Sequence, residues 1–66
     1  MEIIVNGEPR QVPDNITAAG LLESMGMAGK RVAMEVNLEI VPRSTFADHR
    51  LQPGDRIEIV RAIGGG

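Results

Sequence analysis

MEIIVNGEPRQV, residues 1–12, followed by ITAAGLLESM, residues 16–25, decides the fold. Met1, Ile3 and Val5 alternate with Glu2 and Ile4, the two-residue period of a strand. Asn6-Gly7 then breaks it, and both residue types tolerate positive φ, so a tight hairpin is expected there. Arg10-Gln11-Val12 returns as a second strand, closed by Pro13-Asp14. Ala18, Leu21, Leu22 and Met25 follow at i, i+3, i+4 and i+7, one apolar face of a helix. Thr17 is positioned to cap its start and Gly26 to end it. Gly20 inside the helix costs roughly 1 kcal/mol relative to Ala, and a helix this short depends on packing rather than propensity.

Downstream, the period returns to two. Val32, Met34 and Val36 point one way, Ala33 and Glu35 the other. Asn37-Leu38-Glu39 reads as a tight connection, and Ile40-Val41 as a short strand stopped by Pro42. Ser44 to Arg50 is expected to form a helical turn that carries Phe46 inward. Leu51-Gln52-Pro53-Gly54-Asp55 is a turn cluster. Arg56 to Arg61 is the last strand, with Ile57 and Ile59 toward the core. A hairpin, a helix and a returning strand do not make a plain meander. The helix must cover one face of a mixed sheet. An α+β fold follows, and with the first and last strands parallel in the sheet centre it is a β-grasp. Periodicity alone does not fix that strand order. Residues 1–66 read as one such domain ending in a flexible glycine tail, 64–66.

Composition narrows the function. At 66 residues the chain supports one small core. Its aromatic share is 2%, so it offers no stacking platform for single-stranded nucleic acid. A formal net charge of -2 argues against a phosphate backbone as partner. Cysteine is absent, which excludes disulfides, thiolate metal sites and a catalytic thiol in this chain, and points to a reducing, cytoplasmic setting. No leader pattern opens the sequence, and no apolar run approaches the ~20 residues that cross a bilayer.

Enzyme constellations are missing too. The one histidine, His49, has no triad partner and reads as a solvated surface residue. Glu35 and Glu39 read as surface carboxylates. No glycine-rich phosphate loop is present, so this chain is not expected to hold ATP or a dinucleotide, or any other cofactor. Met25, Met27 and Met34 read as fillers of core or loop, with no metal site implied.

What remains is the ending, Gly64-Gly65-Gly66. Three glycines directly after a strand form a thin, adaptable lead for a carboxylate that must enter another protein's active site. Three extended residues reach roughly 10 Å. A carboxylate is a poor acyl donor until its oxygen is activated, as in an acyl-adenylate. The Gly66 carboxylate would then be the reacting group, with no catalytic side chain beside it.

Taken end to end, MEIIVNGE, ITAAGLLESM, VAMEVNLEIVPRSTF and LQPGDRIEIVRAIGGG resemble the sulfur-carrier family of thiamin biosynthesis, whose fold is ubiquitin-like. Val36 to Arg43, the Gly54-Asp55 turn and Gly65-Gly66 are the most distinctive parts. The resemblance implies adenylation of Gly66 by an enzyme related to ubiquitin-activating enzymes. It implies conversion to a thiocarboxylate, with sulfur from a donor such as a cysteine desulfurase, and delivery to thiazole synthase. ATP and the sulfur donor would be used by those partners and not bound by this chain, which acts as their co-substrate. Gly65 carries over as the adjacent tail glycine, and Gly64 departs from the Ala often found there. Two alternatives share the tail. The carrier of molybdopterin synthesis is typically longer and richer in aromatics. A ubiquitin-like modifier or interaction module has no distinguishing feature here.

One partner surface is expected. Ile4 and Val60 have the outward phase in the first and last strands, and neighbouring strands would place them on one solvent face. Ala62, Ile63 and Gly64 lead from that face to the terminus, with Glu58 and Arg61 near its rim. An enzyme that aligns Gly66 would grip this patch.

Overall fold

The computed structural model describes residues 1–61. Five strands form one sheet in the order β2-β1-β5-β3-β4. They are β1 (Glu2–Val5), β2 (Glu8–Gln11), β3 (Val32–Val36), β4 (Glu39–Val41) and β5 (Arg56–Arg61). β1 and β5 are parallel, and the remaining pairs are antiparallel. The helix α1 (Ala18–Ser24) lies between the two hairpins in the chain. This is the β-grasp arrangement, with the last strand at its centre.

The Asn6-Gly7 turn forms as expected, with φ of +51° and +84°. The turn places Val5 opposite Glu8, so β2 starts at Glu8 and not at Arg10. Pro9 therefore sits inside a strand, opposite Ile4. It is tolerated because β2 is an edge and the missing N–H is not needed by a further strand. Val12 lies just past β2, but its N–H still donates to the Met1 carbonyl at 2.9 Å and its side chain is buried.

Helix α1 is seven residues long, too short to persist alone. Its first N–H groups are met from outside. Ala18 N donates to the His49 carbonyl at 2.8 Å, Ala19 N to that of Phe46 at 3.0 Å, and Gly20 N to the Thr17 hydroxyl at 3.0 Å. The chain leaves the helix at Gly26, whose φ is +72°. Gly20 has a steric reason inside the helix. A Cβ there would lie 3.1 Å from Ile16 Cγ1 and 3.3 Å from the Thr17 hydroxyl oxygen, crowding the cap.

One buried cluster joins α1 to a single face of the sheet. Ala18, Leu21 and Leu22 meet Ile3 and Val5, the Val32-Met34-Val36 series, and Ile57 and Ile59. Phe46 and Leu51 close it. The helical turn expected over Ser44–Arg50 is shorter and earlier. A 3-10 turn spans Arg43–Thr45, and Thr45 N donates to the Pro42 carbonyl at 2.9 Å. Phe46 is inward as expected, but Arg50 instead bridges to Thr17 in extended backbone. His49 is half-buried, where a solvated position was expected. Its carbonyl is drawn in to receive the first N–H of α1. No helix among the described residues is long and apolar enough to cross a membrane.

Candidate functional site

The chain's candidate chemistry lies beyond the end of β5, so the geometry of that strand matters most. Each neighbour holds it differently. β3 runs beside it from Val36↔Ile57 to Val32↔Arg61. β1 pairs with it only at Ile4↔Arg56 and Val5↔Ile57, because β1 ends at Val5. Ile4 N donates to the Asp55 carbonyl at 2.9 Å, and Asn6 N to the Ile57 carbonyl at 2.8 Å. The Asn6 side chain then carries the pairing one step further. Its Oδ1 accepts the Ile59 N–H at 2.8 Å.

A second asparagine acts at the other end of β5. Asn37 N donates to the Arg56 carbonyl at 2.8 Å, and Asn37 Oδ1 accepts the Arg56 N–H at 3.0 Å. Its Nδ2 donates to Asp55 Oδ1 at 3.0 Å. The other carboxylate oxygen of Asp55 accepts from Gln52 N at 2.8 Å, closing the turn that feeds the strand. The central strand is thus clasped at its entry by Asn37 and toward its exit by Asn6.

The outer face of the sheet carries the expected partner residues. Val60 is 63% exposed and Ile4 half-buried, and both point away from the core. They do not form one contact patch. Ile4 is level with Arg56, four positions before Val60, so they stand roughly 13 Å apart along the strand at about 3.3 Å per residue. Glu58 lies between them. The cross-strand neighbour of Val60 is Ala33 on β3. Parity places residues on a face, but only the register, which periodicity does not contain, sets their level. Ala62, Ile63, Gly64, Gly65 and Gly66 lie outside the described residues.

Two exposed apolar residues were not anticipated: Leu38 at 88% and Ile40 at 75%. Both belong to the β3–β4 hairpin. Ile40 is opposite Glu35, whose other neighbour is Glu58, so the middle row of the outer face is acidic with an apolar end. The alternation of Met34, Glu35 and Val36 already marks Glu35 as outward, and pairing Ile40 with it would have exposed Ile40. That pairing follows only if Asn37-Leu38 is the complete turn. Leu38 is not a residue from which such a turn is read.

An open groove of about 320 Å³ lies beside this hairpin, with Glu39, Ile40, His49, Arg50, Gln52 and Asp55 among its lining. Both oxygens of Asp55 are occupied as described. Among the described residues no group of His, Cys, Asp and Glu side chains is arranged to hold a metal ion. What the described structure offers is a firmly held central strand that ends beside an exposed valine.

Comparison with known proteins agrees with that architecture over the full length. The chain matches the model of the ThiS family over residues 3–66. It is 35% identical over 66 residues to the sulfur carrier protein ThiS of Escherichia coli, and the match covers 100% of both. The crystal structure of the thiamine biosynthesis protein ThiS of Geobacter metallireducens superposes with a TM-score of 0.85, at 30% identity and covering 100% of both chains. The chain is also 44% identical over 66 residues to the thiazole synthase of Paramagnetospirillum magneticum. It spans only 20% of the length of that relative and of a second thiazole synthase, from Magnetococcus marinus. By the family model and the full-length likeness, the chain belongs to the ThiS family.

Proposed function

We propose that the chain carries sulfur as a thiocarboxylate on Gly66 and delivers it for assembly of the thiazole ring. The observation that carries this reading is the end-to-end likeness to the E. coli sulfur carrier, together with a Gly65-Gly66 ending placed after the central strand. The chemistry needs no side chain of this protein. A Gly66 carboxylate oxygen attacks the α-phosphorus of ATP on a partner of the ubiquitin-activating type, and pyrophosphate leaves. The terminal sulfur of a persulfide on a donor such as a cysteine desulfurase attacks the acyl-adenylate carbon and displaces AMP, which retains that oxygen, leaving an acyl disulfide to the donor. A dithiol reductant supplies two electrons, cleaves that S–S bond and is itself oxidised to a disulfide, releasing the thiocarboxylate and the donor thiol. ATP is consumed on the partner, and the carrier is a co-substrate.

Thiazole synthase is the proposed acceptor. Support comes from relatives of that name, a fifth of whose length is similar to this chain. Val60 and the residues that follow it form the proposed grip, with Ile4 further along the same face. The test is the intact mass of the protein after incubation with the adenylating enzyme, ATP and a sulfur donor. The mass is expected to rise by the difference between one sulfur and one oxygen. An unchanged mass with an enzyme that loads the E. coli carrier would refute the reading.

A further inference from the structure

The β1–β2 turn does more than reverse the chain. Asn6 is the first turn residue, at φ +51°. Its backbone N–H and side-chain Oδ1 both bond β5, to the Ile57 carbonyl and the Ile59 N–H, each at 2.8 Å. β1 itself has ended, since its pairing with β5 stops at Val5↔Ile57. Asn6 Oδ1 therefore stands where the carbonyl of a longer β1 would be. Among the described residues it supplies the outermost bond that β5 receives from the β1 side. The bond is partly buried and joins residues 53 apart in sequence, so it fixes tertiary structure and not a local turn.

Asn37 provides an internal comparison. It begins the β3–β4 turn at φ +53° and bonds β5 in the same two ways, but at Arg56, where the strand enters the sheet. One asparagine thus acts at the entry of β5 and one near its exit. Of the two, Asn6 acts nearer to the end of β5, where β3 continues beside the strand to Arg61.

We propose that Asn6 is a positioning residue for the tail chemistry: by holding Ile59 from the β1 side, opposite the β3 pairing that runs on to Arg61, it fixes the level of β5 ahead of its last described residues. The proposal rests on the reading of Gly66 as the reacting group. A reacting carboxylate must meet the α-phosphorus in line, and a shift of about 1 Å in such a geometry lowers a rate on the order of a hundredfold. An anchor at Ile59 acts on that alignment, and its loss removes no side chain of the proposed grip.

The test compares three variants. Asn6→Gly keeps the left-handed turn and removes the acceptor. Asn6→Asp keeps an acceptor oxygen at the same place. Asn37→Gly removes the equivalent acceptor at the entry of the strand. Each is assayed as substrate of the adenylating enzyme, by the rate of ATP-dependent thiocarboxylate formation over a range of carrier concentrations. Amide hydrogen exchange at Ile59 is followed in the same proteins. For Asn6→Gly the exchange at Ile59 should accelerate and kcat should fall on the order of tenfold or more, with KM nearly unchanged. Asn6→Asp should recover most of the rate. Asn37→Gly should retain kcat within about twofold despite a loss of stability at least as large, since two side-chain bonds are removed there.

Equal losses of kcat in Asn6→Gly and Asn37→Gly would overturn the proposal, because the effect would then follow stability. So would an unchanged kcat in Asn6→Gly, or faster exchange at Ile59 that Asn6→Asp does not reverse. A failure of the unsubstituted chain to gain sulfur would strike the function reading instead, and the exchange at Ile59 would still decide whether Asn6 anchors β5.

Discussion

The two hairpins of this sheet use the same turn with different residues. Each begins with asparagine, Asn6 at φ +51° and Asn37 at φ +53°. Each then needs a second residue with positive φ. In the first hairpin that residue is Gly7, at +84°, and in the second it is Leu38, at +71°. Glycine adopts this conformation freely, whereas an L-residue with a Cβ strains by about 1–2 kcal/mol. Leu38 recovers nothing by burial, since it is 88% exposed. The difference separates two roles within one turn. The asparagine position does tertiary work, because both asparagines hold β5 through backbone and side chain. The second position requires only the dihedral angle, and its side chain is left in solvent.

The largest effect is expected where both hairpins depend on the same residue. Ile57 is fully buried in β5, level with Val5 of one hairpin and Val36 of the other. Ile57→Ala should destabilise the fold by about 2–5 kcal/mol, a large part of the stability of so small a protein. Urea unfolding would measure it. A loss under about 1 kcal/mol would mean that the hairpins do not share one core there.

Next comes an exchange of turn residues. Gly7→Leu gives the first hairpin the strain of the second. A Cβ at Gly7 meets nothing within 4 Å, so the effect is conformational and not a clash. A loss of about 1–2 kcal/mol is expected in the same measurement. Leu38→Gly is the reverse, and should stabilise by less, about 0.5–1 kcal/mol, because glycine also widens the unfolded ensemble. If Leu38→Gly destabilised the isolated protein, the exposed leucine would have a packing role that its solvent position does not reveal.

The smallest effect on stability belongs to Val60. Val60→Asp lies on the outer face and should alter thermal stability by less than about 1 kcal/mol. It should nevertheless weaken binding to the adenylating enzyme and to thiazole synthase, seen as slower thiocarboxylate formation at limiting carrier. Unchanged loading would remove Val60 from the partner surface.

The contrast between the hairpins also marks what was legible in the sequence. Asn6-Gly7 announces its turn because both residues favour positive φ. Asn37-Leu38 does not, so its connection was read one residue too long, as Asn37-Leu38-Glu39, and the exposure of Leu38 and Ile40 went unseen. The core faces of β1, β3 and β5 followed from alternation, and the α1 face from its 3.6 period, because burial is a side-chain property that the pattern records directly. Register is a relation between distant strands, and no local pattern contains it. Hence Ile4 and Val60 were placed correctly on one face yet too close together. The clasping role of the asparagines is equally non-local: Asn6 meets Ile59 across 53 residues. The candidate reacting group, Gly66, is read from the run Gly64-Gly65-Gly66, which lies outside the described residues.

On the proposed function, sulfur is carried on Gly66 and nowhere else. The most direct measurement is fragmentation mass spectrometry of the loaded protein, run beside a variant that lacks Gly66. The added sulfur is expected only in the C-terminal fragment containing Gly66. The shortened chain is expected to fold, with the same exchange protection at Ile57 and Ile59, but to gain no sulfur. Sulfur found elsewhere in the chain, or equal loading of the shortened protein, would contradict that function.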